Sequence, residues 1–216
     1  MVTRTAPLWI GLLAALLAGC SGGSSQDESS AVEAGFDSYR QAILDQDGTA
    51  AVACVDAKTL EYYGEMLDLA LRGSRVKVMA LSVLDKMMVI SIRHRVPRAV
   101  LEGMTPESLF VHAVDEGWID RASVETLELG EIVVSAGTAR VVFLTEGKTI
   151  PGARLVFRQE EERWKIDLTS IMPLASLAFE GAIRQSGISE EEFLTSVLEE
   201  ASGVEVGESV WEPISR

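Results

Sequence analysis

Cysteine is scarce in this chain: there are two, Cys20 and Cys54, in 216 residues, too few for a disulfide-dense scaffold. Basic charge is the minority sign, 19 lysines and arginines against 33 acids for a formal net charge of −14, which argues against a general nucleic-acid binder. Histidine occurs twice, as His94 and His112, and no HxH, HxxxH or CxxC spacing is present, so no metal site is expected. Neither a Gly-x-Ser-x-Gly elbow nor a Gly-x-x-x-x-Gly-Lys loop occurs, which leaves serine-hydrolase and P-loop readings without their motif and gives no cofactor. Internal repeats are absent too. What is present, 47% hydrophobic residues, suffices to bury the core of one domain with a short appendage and excludes wholesale disorder.

The N-terminus is organised differently from the rest. Met1–Pro7 has Arg4 as its only charged side chain, and Leu8–Leu17 (LWIGLLAALL) is an apolar run of ten residues. That is half the length a helix needs to span ~30 Å of hydrocarbon, but it fits the layout of a secretory signal peptide. The residues that follow, Leu17-Ala18-Gly19-Cys20, resemble the lipobox of bacterial lipoproteins. The resemblance implies a diacylglyceryl group on Cys20, cleavage before it and acylation of the new amino terminus. Several acyl chains hold a protein firmly where one binds only marginally. Ser21 in place of an aspartate implies, for a Gram-negative source, the outer membrane facing the periplasm. Ser21–Ser30 (SGGSSQDESS) reads as a flexible Gly/Ser tether. The expected parts are therefore a signal peptide over 1–19, a lipidated tether over 20–29, an α+β domain over 30–170 and an acidic helical extension over 171–216. Cys54, flanked by Val52-Ala53 and Val55, reads as a small core residue rather than a nucleophile.

In the mature chain, Ser30 with Glu33 reads as a capping box. It opens a helix carrying Val32, Phe36, Tyr39 and Ile43 and ending at Asp47-Gly48. A short helix is expected over 49–55 and a longer one over 57–72. From Ser82 to His94 the capping serine and Pro97 favour a helix, against the β-branched cluster Val89-Ile90-Ser91-Ile92. Thr105-Pro106 starts another, which stops at Gly117. From Glu131 the period changes to two. Segments 131–135, 138–144, 153–159 and 163–168 read as strands of an antiparallel meander, the last with Trp164, Ile166 and Leu168 on one face and Arg163, Lys165 and Asp167 on the other. After Pro173 the pattern is helical again, with Ser189 as a second cap.

Helices with one apolar face followed by an antiparallel meander fit an α+β domain whose sheet curls around its helices. This arrangement, the helix ending in Asp47-Gly48-Thr49 and the strand pair Leu155–Gln159 and Trp164–Leu168, resembles the nuclear-transport-factor-two-like superfamily, the cone-shaped ketosteroid-isomerase fold. The turn Glu160-Glu161-Glu162, where relatives commonly carry glycine, and the extra helices of 75–127 depart from it. An enzyme of that superfamily implies an aspartate or histidine inside the cone with a tyrosine donor. The candidates are His94, His112, Asp115, Tyr62, Tyr63 and Asp167, none of them in a catalytic motif of the family. His112, Tyr63 and Trp164 are the expected pocket residues, with His112 beside Glu116 and His94 between Arg93 and Arg95 also readable as surface groups. Seven bases lie between Arg72 and Arg98 against the single acid Asp85, while nine acids and two bases follow Leu174. These stretches either pair within the fold or leave the basic one to touch anionic lipid.

The function expected is a membrane-anchored, non-catalytic module of the cell envelope. Its partners would be the bilayer through Cys20, and an envelope protein or small apolar ligand. Two alternatives are a ketosteroid-isomerase-like enzyme and a carrier of small apolar molecules, the latter needing a cone not filled by Phe143, Phe157 and Trp164.

Overall fold

The computed structural model describes residues 25–119 and 121–214; the leader, the lipobox and Cys20 lie outside the described residues. The chain is a mixed α+β fold in which, among the described residues, eight helices precede an open antiparallel sheet and two follow it. Helix α1 (Ser25–Leu44) begins five residues before the expected start, so 25–29, read as tether, is helical. Asp27 and Glu28 in its first turn complement the positive end of the helix dipole, a driver that the Ser30 cap reading left out.

The following helices start where side chains cap them. Asp47 accepts the Ala50 amide to open α2 (Gly48–Val52), and Asp56 accepts that of Thr59 to open α3 (Ala57–Arg72). Ser74 opens α4 (Arg75–Met79) and Ser82 opens α5 (Val83–Arg95), which ends before Pro97. After the short α6 (Arg98–Leu101), Thr105 and Ser108 form a reciprocal capping box at α7 (Pro106–Asp115). Helix α8 (Ala122–Glu125) leads into the sheet. The β-branched cluster of α5 is helical because Val89, Ile90 and Ile92 are fully buried, and burial outweighs a weak local preference.

Strands β1 (Leu127–Ser135), β2 (Thr138–Thr145), β4 (Leu155–Glu160) and β5 (Arg163–Asp167) are hydrogen-bonded in that order, and the two-residue β3 (Lys148–Thr149) folds back on β2. All pairs are antiparallel. The register aligns one apolar face: Val134 opposes Ala139, Ala139 opposes Phe157, and Phe157 opposes Ile166. Helix α1 packs against β5 and β1, closely enough at Gly35 that a Cβ there would sit 2.7 Å from the Trp164 carbonyl oxygen. Phe143, Phe157 and Trp164 are buried in the core that this packing makes. The outer edge of β5 is capped by the α2–α3 link, where the Ile166 amide donates to Cys54 O and the Asp56 amide to Ile166 O, which satisfies an otherwise open strand edge. Cys54 is partly buried and packs against the edge of the core rather than inside it.

Asp167 departs from the alternation expected of its strand: it is 1% exposed, not on a solvated face. Its Oδ2 lies 3.1 Å from Lys58 Nζ and 3.2 Å from Arg158 Nη2, and its Oδ1 accepts the Thr169 hydroxyl. Arg158 Nε also lies 3.1 Å from Oδ2 of Asp56, which is 0% exposed and accepts the Thr59 hydroxyl. One guanidinium thus ties two buried carboxylates, and α3, to the end of the sheet. Burial opposes the charge on Asp167, but the Thr169 hydrogen bond and the Lys58 and Arg158 partners outweigh it and hold its pKa below the usual 3.8. For Asp56 burial prevails and its pKa is raised.

The C-terminal helices α9 (Met172–Ser186) and α10 (Glu190–Ser202) and the 3-10 turn Glu208–Trp211 pack on α5. Leu194, Leu198 and Trp211 are buried there. The two charged stretches meet: Lys86 pairs with Glu190, and Arg75 with Glu191 and Glu208. Arg93 is buried and donates to the carbonyls of Leu69, Ala70, Gly73 and Val210 at 2.5–3.1 Å. Burial lowers its pKa to about 10 against the attraction of Glu212, so it is charged at neutral pH. Among the described residues no helix is long and apolar enough to cross a membrane.

Two outcomes follow from the buried polar groups. Arg93→Met removes the side-chain donor from four carbonyls, of which Leu69 O keeps the Gly73 amide, and is expected to cost about 1–3 kcal/mol in urea denaturation, with faster proteolysis of 204–214. Asp167→Asn is expected to lower stability at pH 7 by roughly the same amount. Because the folded-state pKa of Asp167 is depressed, its contribution is present above the ordinary aspartate value and lost as pH falls through the lower one. The variant should therefore show a shallower loss of stability below about pH 4, read from denaturation midpoints across pH.

Candidate functional site

Both histidines of the chain line one cleft. It has a volume of about 440 Å³ and is walled by His94 and Arg95 at the end of α5, His112 and Glu116 at the end of α7, Trp118, and Ala201, Ser202 and Val204 at the end of α10. Three helix C-termini therefore converge on it.

The local sequence explains why Trp118 stands there. The Gly117 amide donates to Val114 O at 3.0 Å and the Trp118 amide to Ala113 O at 2.8 Å, with Gly117 at φ +68°. These are the two bonds of a Schellman motif, whose left-handed position favours glycine. The motif turns the chain so that Trp118 meets His112 edge to face at 5.4 Å between centroids. The Arg95 guanidinium carbon lies 5.5 Å from the same indole centroid, a cation–π contact.

Arg95 is the unusual group. Its Nε is buried without a hydrogen-bond partner, and no ion pair reaches it among the described residues. Burial lowers its pKa. His94 Nε2 lies 3.1 Å from Ser202 Oγ. Ser202 Oγ also meets the carbonyl and the amide of Val204, at 3.2 and 3.3 Å.

A second, apolar pocket of about 270 Å³ adjoins the cleft and shares Arg95, Trp118 and Ala201 with it. It is lined further by Leu84, Met87, Met88 and Ser91 of α5, with Tyr62 of α3 and Met172 of α9. Leu84, Met88, Ser91 and Arg95 recur at helical spacing, one face of α5. The Tyr62 hydroxyl donates to Asp85 at 2.9 Å, which leaves its ring as wall.

The three expected pocket residues stand in three places. His112 is in the cleft. Tyr63 is buried in the helical core, its ring 5.0 Å from that of Phe110. Trp164 packs below α1 and borders a shallow hollow with Cys54 and Arg163; burial raises the Cys54 pKa over the pull of Arg163 and Lys165. Asp115 accepts the Gly48 amide at 2.7 Å and holds α2 to α7, and Asp167 belongs to the Arg158 cluster. Sequence reading missed Arg95, Trp118, Ser202 and the methionines. The α5 stripe and the Gly117-Trp118 stop were the available signals, but neither shows from which distant segment the opposite wall comes. Among the described residues no group of three His, Cys, Asp or Glu side chains could hold a metal ion.

No family model matches the chain, and no curated protein or solved structure matches it either.

Gly117→Ala tests the placement of Trp118. The added Cβ is strained at positive φ and would meet Gln46 Nε2 at 2.9 Å. The variant should lose about 1 kcal/mol in thermal melts and shift the Trp118 indole resonance in an NMR spectrum, whereas those of Trp164 and Trp211 should stay in place.

Proposed function

We propose that the chain is a bacterial lipoprotein of the cell envelope, held to the bilayer through acylated Cys20, whose folded part is a non-catalytic binding module. In a Gram-negative source it lies at the outer membrane and faces the periplasm. Its binding site is the cleft between α5, α7 and α10. The anchor is supported by the order of the short apolar run, small residues and cysteine in Leu8–Cys20. The observation that carries the binding reading is the convergence of three helix ends on one cleft of about 440 Å³ that holds both histidines, Trp118 and Arg95, with the Arg95 guanidinium stacked on Trp118 and in no ion pair among the described residues.

The finer reading of the sheet as a cone belongs to the same proposal. It is supported by the order of helices before strands and by α1 lying against β1 and β5. Phe143, Phe157 and Trp164 are buried on that side, which favours the helical layer over the inside of the cone for the ligand and disfavours a carrier of the cone-cavity type.

Intact-mass analysis of the membrane-extracted protein, beside Cys20→Ala, tests the anchor. The expected product starts at Cys20 with added acyl mass, and the variant loses both that mass and sedimentation with membranes. An unmodified chain cut elsewhere overturns the reading.

A further inference from the structure

We propose that the Met-lined pocket and the cleft form one site for a single-chain amphiphile with a carboxylate head, the tail along α5 and the head on Arg95; this rests on the binding-module reading above. The order of groups along the groove carries it. Leu84, Met87 and Met88 stand at one end and Arg95 at the junction where the apolar pocket opens into the cleft. From Leu84 to Arg95 the helix axis runs about 16 Å, the length scale of a medium-chain tail. Unbranched thioether side chains adapt to a flexible tail better than branched ones do.

The head is specified by what Arg95 lacks. A guanidinium that is stacked on Trp118, with Nε buried and no ion pair among the described residues, keeps its two terminal amino groups as an in-plane N–H fork for a planar, two-oxygen acceptor. A carboxylate supplies that geometry. His94 and His112 bring their rings to the same cleft. Glu116, also on the wall, opposes a doubly charged head, which sets a carboxylate apart from a phosphate monoester. A neutral amphiphile would leave the fork unsatisfied, and a cation would meet Arg95.

The test is calorimetric titration of the mature full chain in phosphatidylcholine nanodiscs, with empty discs subtracted, using decanoate, decanol, octanoate and decyl phosphate. The expected result is saturable binding of one decanoate per chain, at least tenfold tighter than decanol. Shortening to octanoate should weaken it by up to about fourfold per methylene. Arg95→Gln should lose tenfold or more for decanoate and little for decanol, with Arg95→Lys recovering part of the loss. Met88→Ser should weaken both ligands alike. Equal binding of decanoate and decanol, tighter binding of decyl phosphate, indifference to Arg95→Gln, or no saturable binding each overturns the proposal. If Arg95→Gln does not fold, the decanoate-to-decanol ratio of the unaltered protein decides alone. Failure here removes the ligand class, whereas the anchor stands or falls on the mass result.

Discussion

A buried guanidinium holds this molecule's C-terminal third to its helices. Arg93 has five N–H donors in one plane, and the structure gives it four carbonyls: three at the end of α3, of which Leu69 O also accepts the Gly73 amide, and Val210 from the closing 3-10 turn. A helix end buried without partners costs more than its hydrogen bonds return. Here the same side chain that satisfies α3 recruits the chain terminus, and Trp211 is buried as the turn settles. Arg93 also fixes the rotation of α5. With it aimed inward, the next two residues, each turned by about 100°, carry His94 and Arg95 to the cleft side.

Charge is partitioned along the same line. The acidic chain has one basic stretch, and its own acidic end lies over it through Lys86–Glu190 and Arg75–Glu191. Individually such contacts are worth ~1 kcal/mol or less where water reaches them. Their consequence is register: they set where α10 lies on α5, and the end of α10 supplies Ala201, Ser202 and Val204 to the cleft. Basic side chains that could have faced anionic lipid are thereby engaged within the fold. Arg95 is the contrast: it belongs to that stretch, yet none of the described acids pairs with it.

Much of the fold was legible because its signals are local. Ser82, Thr105-Pro106 and Ser189 announce helices that begin where they stand, and the period of two from Glu131 onward gives the meander. What escaped depends on partners far away in sequence. Asp167 alternates as a surface residue would and is buried only because Lys58, about a hundred positions earlier, and Arg158 converge on it. The site was less legible still. His112 and His94 were singled out separately, each with a surface explanation. What makes them one site is Ser202 on α10 and the Schellman turn that presents Trp118.

The two layers of the fold divide their work by packing. On the sheet side the aromatic residues fill the space against α1, and Gly35 lets backbone approach backbone; such close packing resists deformation. The helical side joins α5 to elements from before and after the sheet, and its seam is lined with methionines, an arginine in no ion pair among the described residues, and helix C-termini. Helix ends and unbranched side chains adjust more readily than a filled sheet face, because fewer contacts are lost when they move. A chain with one rigid layer has a frame on which the adjustable seam is positioned. The residue that joins the frame to the helices is Arg158, which reaches Asp167 at the end of β5 and Asp56 at the start of α3, and α3 packs in turn on the α5 that carries the seam.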